Sequence, residues 1–162
     1  MDKQRIYIET SIVSYLAARR STNLLAVAWQ ELSRKFWEDH RSKFELFTSE
    51  LVVSEAAAGH SDASERRLNF LRGIPELPLT DSARELAEVI LSEGVLPEKA
   101  GIDALHIAIA TVHHMDFLLT WNCRHIDNPV IKPIVRILCA KHGHHCPEIC
   151  TPLELTEGLS NE

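Results

Sequence analysis

The sequence predicts an α/β fold with a parallel central sheet of four to five strands and helices on both faces. Short runs of β-branched and aromatic residues alternate with longer segments of helical periodicity along the whole chain. This alternation is typical of parallel sheets, because each strand needs a crossover before the next parallel strand. The 162 residues contain no internal repeat and no Pro- and Gly-rich linker. We therefore expect one domain over 1–156 and a flexible tail over 157–162.

In the first half of the chain, two predicted strands lead directly into helices. The run RIYIE predicts a strand over 5–9, after which Thr10 or Ser11 can cap a helix over 11–20. The run FELFTS predicts the second strand, and its last residue, Ser49, can cap the next helix. Apolar spacing and glycine stops then predict a helix within 22–42, a helix over 50–58, a helix over 61–72 and a short strand or extended segment over 74–79.

The second half contains the most apolar predicted helix. The segment DSARELAEVILSEG is amphipathic, with Asp81 at its start and Gly94 at its end. The segment over 96–114 carries a run of alanines and isoleucines and could kink at Gly101. The elements predicted after it are a strand over 116–121, a helix over 128–143 that starts near Pro129, and a short strand over 147–151.

The composition is that of a globular protein in reducing surroundings. The chain carries 17 Lys and Arg against 23 Asp and Glu, and its net charge of −6 argues mildly against a nucleic-acid partner without excluding one. Four cysteines are too few for disulfide bonds to be the main stabilisation of a chain of this length. No apolar run reaches the ~18–20 residues of a membrane span, and the N-terminus lacks the apolar stretch of a signal peptide. We expect a cytoplasmic location and no membrane contact.

Four side chains that carry oxygen are predicted to meet at one edge of the sheet. Glu9 ends the first strand, Glu55 lies in the helix after the second strand, Asp103 heads the most apolar helix, and Asn122 follows the next strand. Ligands of open α/β sheets bind beyond the carboxyl ends of the strands. Three carboxylates this close would repel one another unless a cation lay between them. Carboxylate and amide oxygens suit Mg²⁺ or Mn²⁺.

Each of these residues also has a simpler explanation. Glu9 can be a solvated strand end, and Glu55 can belong to the polar face of its helix, where Glu50 is a competing candidate. Asp103 can complement the helix macrodipole, and Asn122 can be a turn residue. Spacing alone therefore leaves the cation site open.

Four segments resemble the PIN-domain family, and most closely its VapC-type toxins of bacterial type II toxin–antitoxin pairs. They are IYIETSIVSYL, FTSELVVSEAAAG, GIDALHIAIATVHHMDFLLTWN and ICTPLEL, and the third is the most specific. The resemblance implies a Mg²⁺- or Mn²⁺-dependent endoribonuclease with an RNA substrate and a cognate antitoxin. It implies that Glu9, Glu55 and Asp103 bind the metal and that Asn122 completes the catalytic set.

The chain departs from the family pattern at two places. Glu9 stands where the family usually has an aspartate, and its extra methylene requires another side-chain conformation or a shifted ion. The tripeptide Arg124-His125-Ile126 replaces a frequent Arg-Asp-Phe, so no acid follows Asn122 at that point. Three carboxylates in place of four or five leave open whether one or two metal ions bind.

Four further residues are candidates for supporting roles. Thr10 or Ser11 could hold a carboxylate or a metal-bound water. Arg124 could meet the scissile phosphate, although a solvated arginine is the simpler interpretation. Trp121 could stack on a base, although a core tryptophan is the simpler interpretation.

A rival metal site lies in the tract CAKHGHHCPEIC, over 139–150, because zinc takes Cys and His ligands. The tract lacks paired C-x₂-C spacing, and Cys139 and Cys150 are predicted to lie in the core. Two alternative functions also remain open. One is a catalytically weakened PIN-fold module that binds RNA or protein, and the other is a Mg²⁺ phosphatase for a small substrate. Apolar stripes within 11–42 and 81–93 favour a homodimer and a groove for an antitoxin.

Overall fold

The computed structural model describes residues 2–159, which form five parallel strands and eight α-helices. The strands are β1 (Arg5–Ile8), β2 (Glu45–Ser49), β3 (Glu76–Leu77), β4 (Phe117–Leu119) and β5 (Glu148–Cys150). The helices are α1 (Thr10–Ala17), α2 (Leu24–Lys35), α3 (Glu50–Ala57), α4 (Ser61–Leu71), α5 (Asp81–Ser92), α6 (Gly101–Val112), α7 (Lys132–Lys141) and α8 (Pro152–Leu159). The α/β fold with a parallel sheet is confirmed.

The sheet has the order β3-β2-β1-β4-β5, so β1 lies at its centre. Tyr7 pairs with Phe47 on one side and with Leu118 on the other. Successive strand residues point to opposite faces, and Ile6, Tyr7 and Ile8 are all completely buried. Helices therefore cover both faces of the sheet, and the carboxyl ends of all five strands lie at the same edge.

Helix α6 is the most buried helix near this edge, as its alanines and isoleucines predict. Ala104, Ile107, Ala108 and Ile109 are completely buried, and the polar side chain of His106 is 1% exposed. No helix within residues 2–159 combines the length and the apolarity that crossing a membrane requires. Since a buried polar side chain needs hydrogen-bond partners, His106 is a candidate for a structural or functional network.

Several helices begin or end away from their predicted bounds. Helix α6 begins at Gly101 directly after a 3₁₀ turn over Glu98–Ala100, so Gly101 marks a start and not a kink. Helix α7 begins at Lys132, later than predicted, because the side chain of Asn128 accepts a hydrogen bond from Val130 N (2.9 Å) and closes a turn. Helix α2 is followed by a π-helical turn over Phe36–His40 and a 3₁₀ turn over Arg41–Lys43.

The end of the chain was expected to be a tail from residue 157, but residues 157–159 belong to a helix. Helix α8 includes residues 157–159, and residues 160–162 lie outside the described part. Thr151 N donates to Glu154 Oε1 (2.9 Å) and Glu154 N donates to Thr151 Oγ1 (3.3 Å), which is a capping box. Leu155 and Thr156 are buried, so α8 packs on the body of the protein.

Glu154 also belongs to a cluster of charged groups beside the sheet. Lys132 Nζ donates to Asp127 Oδ1 at 2.6 Å and to Ile149 O at 3.2 Å, and Asp127 is 8% exposed. Burial raises the pKa of Asp127 to about 6, and the hydrogen bond with Glu154 adds to this, although Lys132 opposes it. The folded protein therefore holds this proton more tightly than the unfolded chain. The associated stabilisation is complete below about pH 4 and is lost as the pH rises through about 6.

We predict that Glu154→Gln lowers the pKa of Asp127, because an amide removes the neighbouring negative charge while preserving the capping box. The stabilisation that Asp127 provides should then be lost at a lower pH, so the stability of the variant should fall less between about pH 5 and pH 7 than that of the wild type. Urea unfolding at both pH values and a carboxyl ¹³C titration of Asp127 measure this. Glu157→Gln, an exposed site on the same helix, is the control and should leave both measurements unchanged.

Candidate active site

The carboxyl edge of the sheet is lined by polar residues that directly follow the strands. Glu9 follows β1, Ser49 ends β2, and Thr120 follows β4. All three are buried, with exposures of 6%, 0% and 0%. Buried polar groups at one edge need partners, and their hydrogen bonds define the candidate site.

Glu9 curls back onto the helix that follows it. As the N-cap of α1, its Oε2 accepts a hydrogen bond from Ser11 N at 3.0 Å. The same oxygen accepts from Ser11 Oγ and, at 2.9 Å, from Thr120 Oγ1. The helix N-terminus and three donors therefore stabilise this buried carboxylate.

Both hydroxyls that hold Glu9 are themselves fixed by the backbone after β4. Trp121 N donates to Ser11 Oγ (2.8 Å), and Asn122 N donates to Thr120 Oγ1 (2.9 Å). The loop that carries Asn122 is thus tied to Glu9 through the two hydroxyls. The additional methylene of Glu9, compared with aspartate, is accommodated by this return toward α1.

Glu55 lies on α3 beside the start of α1. Its Oε1 accepts hydrogen bonds from Thr10 Oγ1 at 2.7 Å and from His106 Nε2 at 2.6 Å. Burial raises the pKa of Glu55, but the hydrogen bond and charge of His106, together with the Thr10 hydrogen bond, outweigh it and leave the pKa below its usual value. Glu55 is therefore ionised at neutral pH.

A buried chain of hydrogen bonds orients His106. Tyr7 Oη lies 2.8 Å from Ser49 Oγ and 2.7 Å from His106 Nδ1. Ser49 Oγ accepts from Val52 N, and its hydroxyl and that of Tyr7 share a hydrogen bond in which either can donate. Because Glu55 is an ionised acceptor, Nε2 of His106 carries the hydrogen that is donated to it. Burial raises the pKa of Tyr7 far above its ordinary value, which keeps the phenol protonated.

Asp103 is held by the loop after β4. Its Oδ1 accepts from Asn122 Nδ2 at 3.0 Å, and its Oδ2 lies 2.9 Å from His125 Nδ1. His125 N in turn donates to Asn122 Oδ1 at 3.0 Å, so the three residues form a closed ring of hydrogen bonds. His125 occupies the place where the family pattern has a further acid, and it faces Asp103.

The structure places the four candidate residues in two neighbouring hydrogen-bonded networks. Glu9, Asp103 and Asn122 are linked through Thr120, and Glu55 is linked to Thr10, which follows Glu9 in the chain, and to His106, which lies on the same helix as Asp103. Thr10 and Ser11, considered above as supports, both hydrogen-bond to a candidate carboxylate. Glu50, the competitor of Glu55, lies elsewhere and accepts from Leu79 N at 2.7 Å.

The side chains of two other sequence candidates form no hydrogen bond with the four candidate residues within residues 2–159. Arg124 is exposed, and its carbonyl oxygen accepts from Asn128 Nδ2 at 2.9 Å. Trp121 is 4% exposed and stacks on Trp29 with ring centroids 4.8 Å apart, while its indole N–H donates to Ser33 Oγ. Trp121 is therefore a core residue that offers no free face to a base.

Sequence reasoning missed His106 and gave His125 no role. The signal for His106 was available, because residues three apart on a helix share a face and His106 lies three positions after Asp103. The contact of His125 with Asp103 depends on the path of the loop after β4, which no sequence periodicity reports.

The donor set suits a hard divalent cation, although not as a cage built of protein alone. Oε1 of Glu9 and Oε2 of Glu55 accept no hydrogen bond from residues 2–159 and are available to a ligand. In the same range, no group of three or more His, Cys, Asp or Glu side chains is arranged to hold one metal ion. Such a site fits Mg²⁺, which usually takes one or two carboxylates and keeps several waters.

The rival tract over 139–150 separates its potential zinc ligands. Cys139, Cys146 and Cys150 are buried, as predicted for the first and last of them, whereas His142 and His145 are exposed. The thiols thus belong to the core, while these two imidazoles face solvent.

Comparisons with known proteins agree with this architecture. The family model of the PIN domain matches residues 6–127. No curated protein matches the sequence. Among solved structures, the chain is similar to VapC20 of Mycobacterium tuberculosis, described as a sarcin-ricin loop cleaving toxin. That similarity has a TM-score of 0.53 and 18% identity and covers 70% of this chain and 86% of the other. The chain is also similar to VapBC2 of Rickettsia felis bound to a promoter DNA fragment, with a TM-score of 0.58 and 13% identity over 91% of this chain and 98% of the other.

We predict that His106→Ala raises the pKa of Glu55. Burial raises this pKa, and the substitution removes the contact that mainly opposes this effect. In the wild type, the lowered pKa stabilises the fold above about pH 4.5, and this contribution is lost as the pH falls through the folded-state pKa. The variant should lose this contribution. A carboxyl ¹³C titration of Glu55 and urea unfolding across the acid range measure both effects.

His113→Ala is the matched control, because His113 lies directly after α6 and contacts Pro78 O instead of Glu55. An unchanged Glu55 titration in His106→Ala would contradict the assigned network.

Proposed function

Because the chain belongs to the PIN domain family, we propose that it is a Mg²⁺- or Mn²⁺-dependent endoribonuclease and the toxin of a toxin–antitoxin pair. One observation carries the proposal. Glu9, Asp103 and Asn122 are linked by hydrogen bonds through Thr120, and Glu55 is bound by Thr10, the residue that follows Glu9, so four separate parts of the chain contribute to the carboxyl edge of the sheet. This edge is where open α/β sheets bind ligands.

In this proposal, Glu9, Glu55 and Asp103 bind the metal, directly or through water. The free oxygens of Glu9 and Glu55 are the direct ligands, and Asp103, whose two oxygens already accept hydrogen bonds, acts through water. Bound Mg²⁺ or Mn²⁺ would supply charge neutralisation at the phosphate and a lowered pKa for its water.

The remaining residues hold the carboxylates in place. His106 and Thr10 fix Glu55 as an ionised acceptor, which can bind a cation or accept a hydrogen bond from the attacking water. Asn122 and His125 fix Asp103, and Ser11 and Thr120 fix Glu9. Such outer contacts commonly change metal affinity or activity by about 10–100-fold.

A protein partner is supported by the fold and by the exposed apolar side chains. The Rickettsia felis structure that shares this fold is a VapBC2 assembly bound to DNA, which supports a cognate antitoxin here. Leu24 and Leu25 at the start of α2 are 86% and 59% exposed, and Ile102 on α6 is 47% exposed. These side chains support an antitoxin groove or a homodimer contact in the cytoplasm.

We predict that Asp103→Asn reduces Mg²⁺-dependent cleavage of structured RNA by more than about 100-fold, since even the outer partners of a metal cost 10–100-fold. The fold should persist, because the amide occupies the same volume. The measurement is cleavage of labelled RNA with Mg²⁺, with Mn²⁺ and with EDTA, and circular dichroism reports the fold.

Asp81→Asn is the matched control, because Asp81 also lies in the first turn of a helix and its side chain is 94% exposed. Wild-type cleavage by Asp103→Asn would contradict the proposed site. RNA binding without cleavage by the wild type would instead indicate a weakened binding module. Turnover of p-nitrophenyl phosphate without RNA cleavage would indicate a small-molecule phosphatase.

A further inference from the structure

The charges of this acidic chain are unevenly distributed. Residues 1–72 carry 11 Lys and Arg against 10 Asp and Glu, whereas residues 73–162 carry 6 against 13. Four of the arginines lie at or contact the C-terminal ends of α1 and α3. We call Arg19, Arg20, Arg66 and Arg67 the arginine patch. No patch member forms an ion pair within residues 2–159, so its positive charge has no acidic side chain as a direct partner.

Two members of the patch are presented by a loop that a buried side chain holds rigid. Arg19 and Arg20 are exposed and follow α1 directly. Gln30, which is 2% exposed, donates from Nε2 to Arg19 O at 2.9 Å and accepts at Oε1 from Ser21 N at 3.2 Å. One buried amide thus brackets Arg20 on both sides. Burying an amide costs free energy unless both of its ends are paired, and here both ends are used to fix this loop.

The other two members are anchored through part of their guanidinium groups. Arg66 Nε donates to Ala17 O at 3.0 Å, at the end of α1. Arg67 Nε donates to Ala56 O at 3.0 Å and its Nη2 donates to Ala58 O at 2.6 Å, directly after Glu55. These contacts satisfy carbonyls at two helix C-termini. Both terminal nitrogens of Arg66 and Nη1 of Arg67 form no hydrogen bond with residues 2–159, so they remain available as donors in fixed positions.

The patch adjoins the candidate site along α1. Thr10, the first residue of α1, contacts Glu55, and eight helical residues span about 12 Å. The loop with Arg19 and Arg20 therefore lies about one short helix away from the carboxylates. A few nucleotides of a single strand cover this distance.

We propose that the arginine patch binds backbone phosphates of the RNA whose scissile bond lies at the carboxylates; this inference rests on the proposed function. Pre-anchored guanidinium groups lose little side-chain freedom on binding, and their planar forks match phosphate oxygens. The patch thereby supplies the attraction for a polyanion that the net charge of the chain does not.

The test is the salt dependence of RNA binding, measured by fluorescence anisotropy with a fluorescein-labelled single-stranded RNA in EDTA. All proteins carry Asp103→Asn, so cleavage does not interfere. Each phosphate contact contributes a slope of about −0.7 to log affinity against log salt for single strands. We expect the double variant Arg19→Gln/Arg20→Gln to bind more weakly and to reduce the slope by about 1.4 between about 50 and 200 mM salt.

The matched control is Arg84→Gln/Arg136→Gln, which removes the same two charges from the second half of the chain. Both control arginines are exposed and pair only with Asp81 and Glu148, so their loss costs little stability. Thermal melts check that all variants fold. Gln30 binds the backbone oxygen of Arg19 and the backbone N–H of Ser21 and neither arginine side chain, so substitution of Arg19 and Arg20 should leave the fold intact.

Different outcomes separate this inference from the function on which it depends. An equal change of slope in both double variants would indicate a general effect of charge and would overturn the proposed role of the arginine patch. An unchanged slope in Arg19→Gln/Arg20→Gln, with wild-type protein that cleaves RNA, would overturn the patch alone. An unchanged slope with weakened binding of an acidic protein partner would reassign the patch and also overturn the inference. No RNA binding by any variant, with no cleavage by the wild type, would overturn both proposals.

Discussion

The architecture depends on holding several carboxyl groups in place by hydrogen bonds beside an apolar core. Each of them receives donors from a different part of the chain: Glu9 from Ser11 and Thr120, Glu55 from Thr10 and His106, and Asp103 from Asn122 and His125. A parallel sheet makes this possible, because all of its strands end at one edge and each strand end can deliver a polar side chain there. Hydrogen bonds thus offset part of the repulsion between the carboxylates. The sequence alone suggested that a cation was needed for this.

This balance changes how the candidate site should be understood. Considered one at a time, Ser11, Thr120 and His106 resemble ordinary core or capping residues. Their hydrogen bonds determine which carboxylate oxygens remain free, because Glu9 Oε2 and Glu55 Oε1 already accept hydrogen bonds from protein donors. Under the proposed function, the free oxygens and not the number of acids define where a cation and its waters would bind. A site with few direct protein ligands is consistent with Mg²⁺ chemistry.

The sequence predicted the fold and the position of the acids well, because strand ends and helix starts carry strong local signals. The strand before Glu9, the cap at Ser49 and the apolar helix after Asp103 all follow from periodicity and capping chemistry. The partners of these acids were harder to predict. His125 reaches Asp103 only through the loop after β4, and α8 was missed because its stabilisation comes from tertiary packing and a capping box in a short segment.

The buried sequence of contacts from Ser49 through Tyr7 to His106 has a consequence for how this protein can evolve. Tyr7 lies on the central strand and is completely buried, and its hydroxyl contacts Nδ1 of the same His106 ring whose Nε2 contacts Glu55. A substitution that repacks the middle of the sheet therefore also alters the chemistry at its rim. Adaptation toward greater thermal robustness and adaptation toward faster turnover are thus constrained at the same position, and neither can proceed there independently.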